Sequence, residues 1–198
     1  MKDSGALSNN YGRQSEEEFY RCLESKGFVE KIYCYPSWII MTMDLSPGEK
    51  IYTKQVRFTL ANSQMTKPKN FIIDAVSVES RDGIPHVTFY EVKSLYAGGT
   101  VQQKLPFNIL LFDEMSQSLN SYDDCTFSFK LVLLKMLDFS VSYKTKVDVY
   151  KNIVKSPLIS KLDLELLDIM LKKQLKLVGN PKIEILNFFD FMTKNVAS

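Results

Sequence analysis

The chain has 198 residues, of which 45% are hydrophobic and 24% charged, and its 25 basic and 23 acidic residues give a net charge of +2. This length suits one domain around one hydrophobic core, and the composition is not that of a disordered chain. The near-neutral balance excludes a coat-like nucleic-acid binder, because such proteins neutralise many phosphates at once. No apolar run approaches the roughly 20 residues of a membrane-spanning helix. The N-terminus also has no signal-peptide core, so we expect a cytoplasmic protein without membrane contact.

The cysteine and histidine counts narrow the possible chemistry. Cys22, Cys34 and Cys125 show no CxxC spacing, and His86 is the single histidine. An odd number of cysteines without a framework indicates reduced thiols in a reducing compartment. A zinc site of the usual Cys/His type and a Ser-His-Asp triad are therefore disfavoured. Carboxylates and lysines remain as the candidate functional groups.

The first half of the chain predicts one helix followed by strands. Ser15 and Glu18 have the spacing of a capping box, so we expect a helix from Ser15 that stops at Gly27, after a polar and frayed segment 1–14. Strands are expected over three segments, 28–35, 38–43 and 51–60.

The clearest local pattern is a β-hairpin. Segments 71–78 and 86–92 are rich in β-formers and flank Asp82-Gly83, a favoured two-residue turn. Pairing outward from that turn places Asp74 opposite Glu91, and Lys93 shares the face of Glu91 because strand side chains alternate. We therefore expect Asp74, Glu91 and Lys93 to project together.

The second half predicts further helices and strands. A helix is expected over 107–119, a buried strand over 126–136, and helices over 146–155 and 161–177, while 182–186 fits either a last strand or the start of a helix. The fold class is α/β (α+β). We expect a core over 1–140 and a mainly helical extension over 141–198 packed on it as one domain.

Two carboxylates that face each other on a sheet repel, so something must offset the energetic cost of placing them there. At about 5 Å and an effective dielectric of 20 their repulsion is about 3 kcal/mol. Either they point to solvent or a divalent cation lies between them, and oxygen ligands favour Mg²⁺ or Mn²⁺. The Val92 carbonyl is a candidate third ligand. Lys93 would then orient or deprotonate a water for attack on phosphorus, the pattern of metal-assisted hydrolysis.

These residues carry a family resemblance. Ile72-Ile73-Asp74, the hairpin, and then Tyr90-Glu91-Val92-Lys93-Ser94 resemble the PD-(D/E)xK nuclease superfamily, with Ile73 in place of its Pro. Residues of the first helix are similar to the opening helix of archaeal Holliday-junction resolvases: Gly12, Glu16, Phe19, Tyr20, Leu23, Gly27 and Phe28. The resemblance covers 12–28 and 70–95. It implies a restriction-endonuclease-like αβββαβ core with a mixed central sheet flanked by helices, in which Glu16 completes the metal site.

The resemblance implies a Mg-dependent DNA endonuclease of restriction, resolvase or mobile-element type. Asp74 and Glu91 would bind the metal, Glu16 would support it, and Lys93 would position the water. A homodimer is expected, because one subunit then cuts each strand. Two alternatives stay open: a catalytically silent nuclease-like fold that binds nucleic acid or assembles with a partner, and an unrelated α/β interaction domain with an accidental match.

Other residues are weaker candidates. Gln102, Gln103 and Lys104 could contact a phosphate backbone or form a plain loop-to-helix transition, and Lys144 and Lys146 belong to a basic cluster that could grip nucleic acid or be a solvated face.

Three further features have mainly structural interpretations. His86 pairs with Glu79 by the same register and is expected on the opposite face from Asp74, as a structural or surface histidine. Glu16 equally suits a helix start. The aromatic group of Phe188, Phe189 and Phe191 is expected in the core or in an oligomer contact.

Overall fold

One mixed sheet with helices on both faces forms the fold. In the computed structural model the described residues are 4–60, 69–94, 101–134, 161–188 and 191, with side chains described for 13–60, 70–94, 105–134, 169–188 and 191. The elements in chain order are α1 (Ser4–Ser25), β1 (Val29–Glu30), α2 (Trp38–Met43), β2 (Lys50–Leu60), β3 (Lys69–Arg81), β4 (Ile84–Ser94), α3 (Val101–Leu119), β5 (Thr126–Leu134), α4 (Lys161–Val178) and β6 (Ile183–Asn187). The six strands lie in the order β1 to β6; β3 is antiparallel to both neighbours and the other pairs are parallel. The predicted mixed α/β class is confirmed.

Helix α1 begins earlier than the sequence predicted. Ser15 lies inside the helix and is 1% exposed, so it is not an N-cap, and the described part of segment 1–14 is helical. Most residues of that segment have ordinary helix propensity and none is proline, while Gly12 costs only about 1 kcal/mol. The stop was predicted correctly, since Gly27 follows the helix with a φ of +84°.

The apolar run at 38–43 is a short helix, so the strand prediction there is wrong. Trp38 and Met41 are buried while Ile39 and Ile40 are each 43% exposed, which is the spacing of one helix face. A continuous apolar run has no period in the sequence, so helix and strand cannot be told apart there. The prediction for 28–35 is also too long, because only Val29–Glu30 pairs with β2.

The predicted hairpin is confirmed. Asp82 and Gly83 form its turn with φ values of +53° and +81°, as a type I′ turn requires. The β3–β4 pairs run from Arg81↔Ile84 to Ala75↔Tyr90, the register expected from the sequence.

The later elements match the prediction with shifted ends. Helix α3 begins at Val101 and includes Pro106, which removes one backbone donor without ending the helix. Segment 183–187 is a strand parallel to β5, which decides between the two alternatives for this region. The helix predicted over 146–155 lies outside the described residues.

The core has two parts, one on each side of the sheet. The cluster under α3, here called the α3 face, includes Leu105, Ile109, Phe112, Phe89 and Phe129. The cluster under α1, here called the α1 face, includes Phe19, Tyr20, Leu23, Tyr52, Tyr90, Phe188 and Phe191. Phe188 and Phe191 are thus core residues. None of the helices in the described ranges is long and apolar enough to cross a membrane.

Candidate active site

The pairing of β2 with β3 is interrupted at a single rung. The two strands pair from Lys50↔Glu79 to Leu60↔Lys69, but Gln55 and Asp74, which stand opposite each other, are left out of the ladder. Gln55 has a φ of +53°, which is rare for a residue other than glycine.

Both strands change face at this rung. Ile51 and Val56 belong to the same core cluster, as do Ile73 and Val76, although each pair is an odd number of residues apart. Strict alternation would place the members of each pair on opposite faces of the sheet. The interruption therefore turns β2 and β3 together, at the position of a predicted site residue.

Asp74 satisfies its polar groups outside the β2–β3 ladder. Its carbonyl oxygen accepts a hydrogen bond from the Tyr20 hydroxyl at 3.0 Å, and its Oδ2 accepts the Val92 N–H at 2.7 Å. The Asp74 N–H donates to the Glu91 carboxylate. Side chains thus continue the hydrogen bonding between β3 and β4 where the main-chain pairs end.

Lys93 lies between the two carboxylates, as the register predicted. Its Nζ is 2.5 Å from Glu91 Oε1 and 3.9 Å from Asp74 Oδ2. The three side chains are only 13–21% exposed. Asp74, Glu91 and Lys93 therefore form one mostly buried charged cluster.

Glu16 reaches the same cluster from α1. It is half-buried, and burial followed by the nearby charge of Asp74 raises its pKa, while Lys93 lowers it. Within the described part of the chain, however, no three His, Cys, Asp or Glu side chains stand close enough to hold one ion together. The charges of Asp74 and Lys93 thus act on Glu16, but Glu16 does not complete a set of three ligands in this conformation.

Burial dominates the electrostatics of the two strand carboxylates. Burial, and then the charge of Asp74, raise the pKa of Glu91 to about 7, although Lys93 opposes the shift. Burial also raises the pKa of Asp74, against the lowering effects of Lys93 and the Val92 N–H. The pKa of Lys93 is raised, because attraction to Glu91 and Asp74 outweighs its burial. The region thus holds three carboxyl groups and one ammonium group, so acidic groups outnumber basic ones.

This donor set fits a hard divalent cation. Its available atoms are carboxylate oxygens, which Mg²⁺ and Mn²⁺ prefer, and a bound cation would offset the charge excess. Asp74 and Glu91 would be the residues to hold it, and this role stays a prediction. The roles of Glu16 and of the Val92 carbonyl as further ligands stay predictions.

The weaker candidates are only partly described. Gln102, Gln103 and Lys104 lie in the first turns of α3, but their side chains are outside the described set, and Lys144 and Lys146 fall outside the described residues altogether. Their contact with nucleic acid stays a prediction.

His86 has a structural role. It pairs with Glu79 as predicted, is 8% exposed, and its ring nitrogens hydrogen-bond Thr126 Oγ1 at 2.7 Å and Ser128 Oγ at 3.1 Å. Burial, followed by the charge of Arg81, lowers its pKa to about 4, so the ring is neutral in the fold.

Two residues next to the cluster were missed from the sequence. Tyr20 lies one helical turn after Glu16, and that spacing alone places both on one face of α1. Gln55 has no comparable signal, because nothing in the sequence marks a positive φ at a glutamine.

Comparisons with known proteins leave the family open. No family model and no curated protein matches the chain. A solved structure described as "AvrA delL154 with IP6, CoA" is similar with a TM-score of 0.30 and 14% identity, over 91% of this chain and 62% of that one. The chain therefore spans less than two thirds of that protein's length, and a likeness of this size supports neither a fold family nor an activity.

Proposed function

We propose that the protein is a metal-dependent nuclease that hydrolyses phosphodiester bonds, acting as an endonuclease on DNA. The observation that supports this is the meeting of two carboxylates and a lysine at one site. Asp74, Glu91 and Lys93 lie together at the end of the hairpin ladder, and the charges of Asp74 and Lys93 act on Glu16 of α1. The αβββαβ order of the proposed family matches α1, β2, β3, β4, α3 and β5.

Each residue has a distinct task in this proposal. Asp74 and Glu91 hold Mg²⁺ or Mn²⁺, and Glu16 supports the ion from the helix. When bound, the ion supplies Lewis acidity and a template for the phosphate. Attraction to Glu91 and Asp74 raises the pKa of Lys93 in the metal-free site. In the proposal Lys93 orients the attacking water and neutralises phosphate charge.

The charge of the site makes binding of substrate dependent on the cation. Without the bound cation, the carboxylates repel phosphate, and the overall charge of +2 supplies little attraction. A divalent ion reverses the local sign and turns the same region into a phosphate-binding one.

Cleavage of supercoiled plasmid and of branched DNA tests the proposal. The native chain is compared in Mg²⁺ and in EDTA with Asp74→Ala and Lys93→Ala, and Glu184→Ala on β6 serves as a control carboxylate remote from the cluster. We expect nicking by the native chain and by Glu184→Ala in Mg²⁺, and a loss of at least about 100-fold in the two site variants. Equal cleavage by all four proteins would refute the proposed site.

A second candidate is a nuclease-like fold without catalysis that binds nucleic acid or assembles with a partner. One observation favours it: Lys93 is engaged by Glu91 and Asp74, so the cluster also has a purely structural use in joining β3 to β4. DNA binding without cleavage in any divalent metal would support this candidate.

We further propose that the enzyme works as a homodimer in the cytoplasm. The thiols support the compartment, since Cys22, Cys34 and Cys125 form no disulfide among the described residues. Light scattering at several concentrations, with and without DNA, measures the oligomeric state, and a monomer on cut DNA would contradict the dimer.

A further inference from the structure

We propose that Tyr20 is a positioning residue that fixes the Asp74 carboxylate. It does so by hydrogen-bonding the Asp74 carbonyl at the interrupted rung between β2 and β3. The effect of Tyr20 on metal binding rests on the proposed function. The effect of Tyr20 on the position of Asp74 is independent of that function.

The Tyr20 hydroxyl contacts both residues of the interrupted rung. It donates to the Asp74 carbonyl at 3.0 Å, and it accepts a hydrogen bond from the Gln55 side chain. Gln55 and Asp74 are the opposed pair that the ladder leaves out. One hydroxyl thus contacts both residues of the unpaired rung, through the carbonyl of Asp74 and the side chain of Gln55.

The Asp74 backbone needs such a partner. A mostly buried carbonyl that is excluded from its ladder must find another donor. If the Tyr20 hydroxyl were absent, the Asp74 carbonyl would lose this donor, and the peptide at Asp74 would be free to rotate toward another one. That rotation would loosen the hydrogen bond from the Val92 N–H to the Asp74 carboxylate and so the position of the side chain.

The ring of Tyr20 is held tightly enough to act in this way. Tyr20 is 6% exposed, its ring stacks on Tyr52 at 6.0 Å, and it meets Phe19 edge-on at 5.8 Å. The Lys54 ammonium lies 4.6 Å from the ring centroid, as a cation–π contact. The hydroxyl therefore has little freedom to turn from Asp74.

Tyr20 also connects the helix that carries Glu16 with the strand that carries Asp74. Glu16 lies one turn before it on the same face of α1, while Asp74 is on β3. A hydrogen bond from this helical turn to the Asp74 backbone sets the distance between the helix carboxylate and the strand carboxylate.

The test compares Tyr20→Phe with Tyr52→Phe as a matched control. Tyr52 is a neighbouring buried tyrosine on the same face, but its hydroxyl donates to Glu24 at 2.9 Å and Glu30 at 3.3 Å, not to Asp74. Each substitution removes one buried hydroxyl and keeps the ring. Thermal unfolding verifies that both variants fold.

Two readouts are used, and the first needs no metal. Hydrogen exchange of the Val92 amide, which donates to the Asp74 carboxylate, is followed by NMR in EDTA. We expect at least about tenfold faster exchange in Tyr20→Phe than in Tyr52→Phe. The second is the Kd of Mn²⁺ from calorimetric titration, which we expect to rise about 10- to 100-fold in Tyr20→Phe only.

The outcomes separate the two proposals. Equal Val92 exchange in both variants would overturn the positioning role of Tyr20. A contrast in Val92 exchange together with no Mn²⁺ binding by the native chain supports the positioning role and refutes the metal-dependent nuclease. A contrast in exchange with an unchanged Mn²⁺ Kd overturns the link from Tyr20 to the metal site.

Discussion

The Asp74 carboxylate accepts the backbone N–H of Val92 at 2.7 Å, just beyond the last main-chain pair of β3 and β4. The side chain that the proposed chemistry needs is thus also part of the hydrogen bonding that joins the two strands.

Replacing Asp74 should therefore affect stability as well as activity. We expect Asp74→Ala to lower the free energy of unfolding by about 1–3 kcal/mol, because the Val92 N–H loses its acceptor. Asp74→Asn keeps an acceptor oxygen and should lose less. Urea titration in EDTA at about pH 5.5 measures both, since Glu91 is then mostly protonated and relief of its repulsion does not mask the loss. An Ala variant as stable as the Asn variant would contradict this role.

Glu91 should make stability fall as the pH rises. Its folded pKa of about 7 lies above the ordinary glutamate value of 4.5, so the folded state binds the proton more tightly than the unfolded state. Stability from this group is fully present below about pH 4.5 and is lost through pH 7, by about 3 kcal/mol in total.

The comparison with Glu91→Gln isolates this effect. Unfolding free energies are measured from about pH 4 to 8 in EDTA, and the native chain should lose stability relative to the variant across the window. Saturating Mg²⁺ should reverse the loss, because a ligand that binds only the folded state stabilises it. A difference between the two proteins that is independent of pH would show that Glu91 titrates normally.

His86 should make stability fall as the pH is lowered, which is opposite to the effect of Glu91. Its folded pKa of about 4 lies below the ordinary histidine value of 6.5, so its contribution to stability is present above pH 6.5 and is lost as the pH falls. The loss between pH 6.5 and 4 is about 3 kcal/mol. His86→Gln keeps hydrogen-bonding groups near Thr126 and Ser128 without titrating. The native chain should therefore lose stability relative to this variant on acidification; parallel curves would disprove the burial effect.

Trp38 should be a main anchor of α2. Its ring meets Tyr122 at 4.9 Å and Phe127 at 5.2 Å, both edge-on, and it is 7% exposed. We expect Trp38→Ala to cost about 3–4 kcal/mol. Ile39→Ala, on the same helix but 43% exposed, is the control and should cost much less. Since Trp38 is the single tryptophan, its fluorescence reports unfolding in all the other variants.

The sequence predicted the hairpin and the three-residue cluster because both depend on local rules. Asp82-Gly83 dictates a turn type, the turn sets the register, and the register places Asp74, Glu91 and Lys93. No long-range information is needed for these steps.

The parts that were missed depend on contacts between distant segments. Residues 38–43 became a helix because Trp38 and Met41 fit the core on one helical face, and the run itself shows no period. The positive φ of Gln55 occurs at the unpaired rung, where the Gln55 side chain contacts Tyr20, and neither feature is visible in the neighbouring sequence. The role of Tyr20 follows only once α1 is placed against β3.

The packing of Phe191 against α1 has a consequence for the order in which the site forms during synthesis. The Phe191 ring lies 5.1 Å from Phe19 and 5.9 Å from Tyr90, so the helix that carries Glu16 and Tyr20 has its full packing only when this late residue is in place. On the ribosome, residue 191 emerges long after the hairpin. The helical side of the charged cluster therefore reaches its full packing only after residue 191 has been synthesised, well after the hairpin that carries Asp74 and Glu91.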